Sequence, residues 1–374
     1  MTPKVLIALN TAWNLVNFRA GLIRGLRDAG YEVVTIAPPD EHVPRLRELG
    51  CRYVPLAMDN KGTHPGRDML LLWRYLLLLR KERPDVFLGY TVKPNIYGSL
   101  AAHALGIPVI NNIAGLGAVF IKRNWLTRLV RGLYRLALSR SQRVFFQNED
   151  DRHTFVEGGL VRAEVTDRLP GSGVDLARFS SVFLMDAGRK GMRFLLIARM
   201  LWDKGVGEYV EAARLVRQRH PEAEFRLLGF LDVQNPSAIS RAQMDEWVTE
   251  DVVRYLGSCD DVRPHIADAD CVVLTSYREG VPRTLLEAAA MGRPIITTDA
   301  VGCREVVNDG VNGYLCRTRD AADLADKMER MIALAPFERA EMGRRGREKM
   351  EREFDERIVI TKYLEVIREI LHRR

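Results

Sequence analysis

Cysteine and histidine are scarce in this chain, at five and seven residues among 374. The five thiols, Cys51, Cys259, Cys271, Cys303 and Cys316, are odd in number and contain no C-x-x-C pair. That pattern argues against a disulfide framework and reads as reduced thiols of a cytosolic protein. Long apolar runs are also missing. The longest, "MLLLWRYLLLL" at 69–79, is broken by Arg74 and falls short of the roughly 18 residues a membrane-spanning helix needs. A secretory leader is not expected either, since "MTPKVLIALNTAW" runs directly into a strand pattern without a basic start or a long apolar stretch.

What is present is length and an uneven charge. A chain of 374 residues that is 47% hydrophobic can fill two cores, because single cores stop growing at roughly 250–300 residues. Residues 1–170 hold 24 Lys and Arg against 15 Asp and Glu, a balance of +9, whereas 171–374 hold 32 against 34, a balance of −2. The basic first half points to an anionic partner there: nucleic acid, a membrane surface or a phosphorylated substrate. Nucleic acid fits poorly, because the cations sit among leucines and not among exposed polar and stacking groups.

Short β-branched runs alternate with amphipathic segments. Strands are expected at 4–10, 31–38, 85–90, 108–113 and 143–148, with helical patterns such as 17–29 and 95–105 between them, so parallel βαβ units follow. "RLPGSGVDLARFS" (168–180) reads as a linker, and the rhythm restarts with strands at 193–199, 224–230, 252–257, 271–276 and 294–299. The expectation is an α/β chain of two doubly wound, Rossmann-like domains, 1–170 and 171–354, facing a central cleft at the carboxyl ends of their strands. A last helix, within 355–374, has no strand to lead into and is expected to pack back on the first domain.

The stretch "SYREGVPRTLLEAAAMGRPIITTD" (276–299) carries the clearest chemistry. A buried strand ends at an acid, Glu279; Gly280, Val281, Pro282, Arg283 and Thr284 then open a helix that holds a second acid, Glu287, with Pro282 expected in its first turn. A helix start on the carboxyl side of a parallel sheet favours an anion, and a diphosphate suits it. Acids beside such a site are tolerable when they accept hydrogen bonds from hydroxyls, as a sugar provides. E-x7-E spacing alone is common in a chain with 49 acidic residues. A second element, "IARMLWDKGVGEYVEAA", places Arg199 after a strand and Lys204 before a helix, so two further cations reach toward the same diphosphate.

Together "EGVPRTLLEA", "ARMLWDKG" and "VGCREVVNDGVNGYL" (301–315) resemble the donor half of retaining GT-B glycosyltransferases of the GT4 family, and the resemblance extends over essentially the whole chain. It implies a nucleotide-sugar co-substrate, most simply a UDP-sugar, and no obligatory metal or cofactor. It assigns Glu279 to the donor sugar, Glu287 to the ribose, and Arg199 with Lys204 to the diphosphate. Glu279, Arg199 and Lys204 are thereby the expected catalytic residues, within a donor site completed by Gly280, Val281, Pro282, Arg283, Thr284 and Glu287. The "DAD" at 268–270 precedes its strand, so Asp268 and Asp270 read as helix-end residues and not as the metal-binding D-x-D of the other glycosyltransferase fold. Many GT4 members carry a histidine where this chain has "NNIAG", so that contact is not carried over; His103 and His153 receive no role.

The first half is expected to hold the acceptor. "NTAWNLVNFRAGL" (10–22) follows the first strand, as an acceptor loop would, and "GYTVKPNIYGSLAA" (89–102) and "NNIAGLGAVFIKR" (111–123) follow later strands; they are expected to bring Asn17, Arg19, Lys93, Asn95, Asn111, Asn112 and Lys122 to it, along with the loop glycines Gly115 and Gly117. These stretches resemble transferases that extend bacterial lipid-linked oligosaccharides, of the type that adds GalNAc to undecaprenyl-diphosphate-bound bacillosamine. The resemblance implies a polyprenyl-diphosphate saccharide as acceptor. "KRNWLTRLVRGLYRLALSRSQR" (122–143) has the composition of an interfacial helix on anionic lipid, with Arg128, Arg131 and Arg135 as membrane contacts. The Leu-rich segment 69–79 repeats that theme. A peripheral enzyme on the cytoplasmic face of a membrane is the expectation; a soluble transferase acting on a small glycoside or sugar phosphate, and a non-catalytic nucleotide-sugar or membrane-binding subunit, stand as alternatives.

Overall fold

The structure, a computed structural model, describes residues 2–59, 64–116, 125–181 and 191–373. It divides into two compact units, Met1–Ser172 with Glu356–Arg374, and Gly173–Asp355. In the first unit, strands β1 (Lys4–Ala8), β2 (Glu32–Ala37), β3 (Arg52–Pro55), β4 (Val86–Tyr90), β5 (Val109–Ile113), β6 (Arg143–Phe146) and β7 (Thr166–Arg168) form a sheet of order β3-β2-β1-β4-β5-β6-β7. Every neighbouring pair is parallel. The connecting helices are α1 (Ala12–Asp28), α2 (Val43–Glu48), α3 (Pro65–Glu82), α4 (Ser99–Ala104), α5 (Trp125–Leu138) and α6 (Glu149–Glu157), and a π turn at Pro94–Gly98 leads into α4.

The second unit repeats the winding. Strands β8 (Arg193–Ile197), β9 (Glu224–Leu228), β10 (Arg254–Tyr255), β11 (Cys271–Leu274), β12 (Ile295–Thr298) and β13 (Gly313–Cys316) lie in the order β10-β9-β8-β11-β12-β13, again all parallel. Helices α7 (Val206–Arg217), α8 (Arg241–Thr249), α9 (Arg263–Ala267), α10 (Arg283–Ala290), α11 (Ala321–Ala333) and α12 (Pro336–Lys349) link and cover them. The last helix, α13 (Glu356–His372), belongs to the first unit.

Central strands are buried on both faces and therefore read as continuous apolar runs. In β1, Val5 and Ile7 enter one core with α1 and α13, while Leu6 and Ala8 enter another with α3 and α4. Strands Arg52–Pro55, Thr166–Arg168 and Gly313–Cys316 were not expected from the sequence, and the run 252–257 shrinks to Arg254–Tyr255. All four are sheet edges. An edge strand has one neighbour and, here, half-exposed residues, so it lacks the apolar signature that marks an interior strand. The π turn places Tyr97 between the cores beneath α3 and α5.

Helix α13 closes the core of the first unit through Val359, Tyr363, Val366, Ile367 and Ile370. The Tyr363 ring lies edge-on to Phe145 at 5.0 Å, and its hydroxyl accepts from Asn112 Nδ2 at 3.1 Å. Tyr363→Ala should lower the stability of this unit by about 3–5 kcal/mol, the range for large aromatic truncations. Denaturant unfolding followed by near-ultraviolet circular dichroism would measure it; a loss under about 1 kcal/mol, typical of a surface change, would show that α13 docks without supporting this core.

Candidate functional site

Both sheets reverse their winding once, between β1 and β4 and between β8 and β11, and ligands of doubly wound sheets sit at the carboxyl ends of strands at that reversal. In the second unit the segments leaving β8 and β11 carry Arg199, Lys204 and Glu279. Arg199 follows β8 and is exposed, with no ion pair or side-chain hydrogen bond among the described residues. Leu201 closes onto the Arg199 carbonyl at 2.8 Å, and a 3₁₀ turn, Trp202–Lys204, delivers Lys204.

Gly205 ends that turn with φ of +68°, and a Cβ there would meet the Thr275 carbonyl oxygen at 2.1 Å. Only glycine allows this approach. Thr275 reciprocates, donating its hydroxyl to the Gly205 carbonyl at 2.8 Å. The two strand ends are thus stitched together, and the Lys204 ammonium forms an ion pair with Glu279, both side chains being mostly buried. Ser276 donates to the same carboxylate oxygen at 2.7 Å. The Thr298 hydroxyl from the next strand donates to the Ser276 carbonyl, and the Glu279 amide donates to Val301 at 2.9 Å.

The third sequence element supplies this support. Gly302, with φ of +83°, lies where a Cβ would fall 2.0 Å from the Gly280 carbonyl oxygen. Beside it the buried Cys303 thiol is pushed up to about 12, by burial first and then by the Glu279 charge, so it is not a reactive thiolate. Helix α10 starts at Arg283 with Pro282 as its N-cap and no side-chain cap. The placement of Pro282 inside the first turn is corrected by one residue: its ψ of 113° is extended.

Glu287 lies one turn into α10. Arg283 Nε donates to its Oε1 at 2.7 Å, an i,i+4 pair with both side chains mostly buried. Burial raises the Glu287 carboxyl pKa; Arg283 opposes this most, followed by Arg178, while Asp261 adds to the rise. Arg178 and Asp261 come from outside the recognised stretches, and Asp261 is itself tied to Arg263. Thr275, Ser276 and Thr298 were likewise missed by sequence reasoning. Their only signal is a hydroxyl at the carboxyl end of an apolar strand.

Asp268 caps α9 and pairs with Arg193 and Arg226, and Asp270 accepts from the Arg193 amide at 2.8 Å. Both therefore lie at the amino ends of the strands, away from Glu279. Among the described residues, no group of three His, Cys, Asp or Glu side chains is arranged to hold a metal ion.

In the first unit several expectations are corrected. The helix expected at 17–29 begins earlier, at Ala12, and so takes up most of 10–22; it is capped by Thr11, whose hydroxyl accepts from the Asn14 amide at 3.0 Å. Asn17 is half-buried on α1 and donates to the Trp13 carbonyl. Arg19 is buried, its guanidinium 4.3 Å from the Tyr90 ring centre, a cation–π contact. Lys93 is paired with the buried Asp68 at 2.7 Å. Asn111 and Asn112 lie inside β5 and Asn95 in the π turn, all buried. Asn111 donates to Asn95 and Ser99 and accepts from Ser141, while Asn95 donates to the Asn112 carbonyl. A buried amide must find partners, and these amides find them inside the unit, apart from Asn112 Oδ1, which is buried without one. Lys122 and Gly117 lie outside the described residues.

Residues 17–171 match the family model for the glycosyl transferase 4-like domain, and residues 191–333 match that for glycosyl transferases group 1. The N,N'-diacetylbacillosaminyl-diphospho-undecaprenol alpha-1,3-N-acetylgalactosaminyltransferase of Campylobacter jejuni is 29% identical over 334 residues, covering 85% of this chain and 86% of that one. The UDP-Gal:alpha-D-GlcNAc-diphosphoundecaprenol alpha-1,3-galactosyltransferase of Escherichia coli is 24% identical over 71% of this chain and 70% of its own. Among solved structures, Anabaena Alr3699/HepE in complex with UDP aligns with a TM-score of 0.79 at 18% identity, over 99% of this chain and all of that one.

Replacing Arg283 by Leu leaves burial acting on Glu287 without its principal counter-charge. Its carboxyl should then titrate at higher pH than in the parent, read by carbon NMR of labelled glutamate. A folded pKa above the unfolded one means that the folded state binds the extra proton, so the variant loses stability as pH rises from the ordinary glutamate range through the raised value. An unshifted titration would reject the role given to Arg283.

Proposed function

Because the chain belongs to the GT4-like, group 1 glycosyltransferases and has the GT-B fold, we propose that it moves a hexose or N-acetylhexosamine from a UDP-sugar to a polyprenyl-diphosphate-linked saccharide during assembly of a glycan, capsule, O-antigen or glycoprotein precursor. The observation that carries this reading is the convergence, at the winding reversal of the second unit, of the exposed Arg199, the Lys204–Glu279 pair and the start of α10. The activities for which the Campylobacter and Escherichia relatives are named, both on undecaprenol-diphosphate sugars, support the acceptor class.

In this reading Arg199, Lys204 and the turn Gly280–Thr284 hold the diphosphate. Glu279 accepts from donor-sugar hydroxyls, with Ser276 and Lys204 orienting its carboxylate, and Glu287 accepts from the ribose. The acceptor oxygen bonds to the anomeric carbon on the face from which the diphosphate leaves, so the anomer is retained. As the old bond breaks, the departing diphosphate oxygen takes the acceptor proton. Negative charge grows on that oxygen in the transition state, and cations and helix-start dipoles already aimed at it lower the barrier without reorganising. Neither a separate general base nor an obligatory metal is invoked.

The acceptor belongs to the first unit, where Asn17 remains partly accessible. Among the described residues no helix is long and apolar enough to cross a membrane, and we assign the enzyme a peripheral position on the cytoplasmic face, in contact through Arg128, Arg131 and Arg135.

Glu279→Ala and Lys204→Ala should each lower turnover by roughly tenfold to a thousandfold, as lost transition-state contacts do. Near-parental rates in either would remove that residue from the mechanism. Incubation with a panel of nucleotide-sugars, with and without a short-chain polyprenyl-diphosphate sugar, tests the reaction itself. Transfer that requires the lipid acceptor and retains the donor's anomeric configuration is expected; transfer to a water-soluble glycoside alone, or an inverted product, would overturn the proposal.

A further inference from the structure

Seven of the fourteen large apolar side chains exposed among the described residues lie on just two helices, α3 and α5. On α3, Met69 is 65%, Trp73 58% and Leu77 53% exposed, with Leu70 beside them. Spacings of four residues put 69, 73 and 77 on one stripe. On α5, Trp125 is 73%, Leu129 46% and Leu136 59% exposed, again near a single stripe. Meanwhile Leu71, Tyr75 and Leu79 of α3, and Val130, Tyr134 and Ala137 of α5, fill the cores beneath. Each helix is therefore apolar on two sides, with one side already occupied by its own unit.

The charges are sorted as strictly as the apolar groups. α3 contains two acids, and both are buried and paired, Asp68 with Lys93 and Glu82 with Arg52. α5 contains none. The outward charges of the two helices are cations: Arg80 and Lys81 from α3, with Arg67 paired to Asp59 and the half-buried Arg74 donating to the Ala57 carbonyl, and Arg128 and Arg135 from α5. Exposed tryptophan and leucine flanked by an excess of positive charge complement the boundary of an anionic bilayer, where apolar groups enter the acyl region and cations meet phosphate.

The topology puts the two stripes on the same side of the sheet. Both helices pack on the π turn Pro94–Gly98, and Tyr97 of that turn joins both cores. In a parallel βαβ unit each connecting helix runs against its strands, so its first half lies at the carboxyl edge. Met69, Leu70 and Trp73 stand in the first half of α3, Trp125 and Leu129 in that of α5, and the exposed Val92 follows β4 at the same edge. We infer that α3 and α5 form one membrane-docking face whose partner is an anionic lipid bilayer, with the carboxyl edge of the first unit's sheet leading into it. This extends the peripheral placement proposed above to a second helix and a direction of approach. It rests on that placement but not on the acceptor's identity, so its test uses vesicles that contain no polyprenyl lipid.

The test is co-sedimentation of the full-length protein with vesicles of phosphatidylcholine, with and without 30–40% phosphatidylglycerol (roughly the anionic content that gives a strong surface potential). Binding should require the anionic lipid and weaken as salt rises. The triple change Met69→Ser, Leu70→Ser and Trp73→Ser, and separately Arg128→Gln with Arg135→Gln, should each lower partitioning roughly tenfold or more. Brominated lipids should quench the fluorescence of the parent, and Trp73→Phe and Trp125→Phe should each remove part of that quenching. These two conservative changes keep the test valid if the triple variant folds poorly. Equal binding to neutral vesicles, or quenching that depends on Trp125 alone, would overturn the two-helix face. So would a dimer in solution that the α3 changes dissolve while vesicles are ignored, which would make a second copy the occupant.

Discussion

Lys204 and Glu279 come from segments 75 residues apart, and they meet because the winding of the second sheet reverses between β8 and β11. At that reversal the two exit segments are left without a crossover helix between them, and side chains from both can turn into the same space. The ion pair is mostly buried, so taking two charges from water costs more than a surface pair would, and the geometry must be held by other contacts. Here the hydroxyls of Thr275, Ser276 and Thr298, together with two glycines at positive φ, hold it. The pair fixes the position of both groups: each holds the other beside the turn that opens α10.

Glu287 is held by a different balance. It is buried enough that protonation is favoured, and Arg283, one helical turn earlier, opposes that tendency. A ribose-reading carboxylate has to stay ionised to accept two hydroxyls, so this arginine belongs to the function proposed for the acid even without touching the ligand. The cluster extends to Arg178 and Asp261, which join the same electrostatic neighbourhood from distant parts of the sequence.

The first unit distributes its polar groups in the opposite manner. Arg19, Lys93, Asn95, Asn111 and Asn112 are spent on internal partners, fixing the turn after β4 and the position of α13. Its outward character comes instead from what α3 and α5 leave uncovered. For the lipid-linked acceptor proposed above, this division would let rigid strand ends present the chemistry while the flanking helices meet the surface that carries the substrate.

The doubly wound architecture was legible from the amino acids because interior parallel strands are apolar on both faces and helices announce themselves by period. The edge strands were not, since a strand with one neighbour need not be apolar. The turns that carry Arg199, Lys204 and Glu279, and the start of the helix that holds Glu287, were legible because glycine and proline after apolar runs mark where a helix must start near strand ends. Whether a given asparagine or cation faces a ligand or the interior is a different matter. Asn111 and Asn112 lie in a strand that the sequence shows, yet nothing local says that their amides are paired across the fold by Ser141 and Tyr363, 30 and 251 residues away. Local pattern determines which segments become strand or helix; only the packed structure decides which polar groups must be satisfied internally, because burial creates that demand and distant residues meet it.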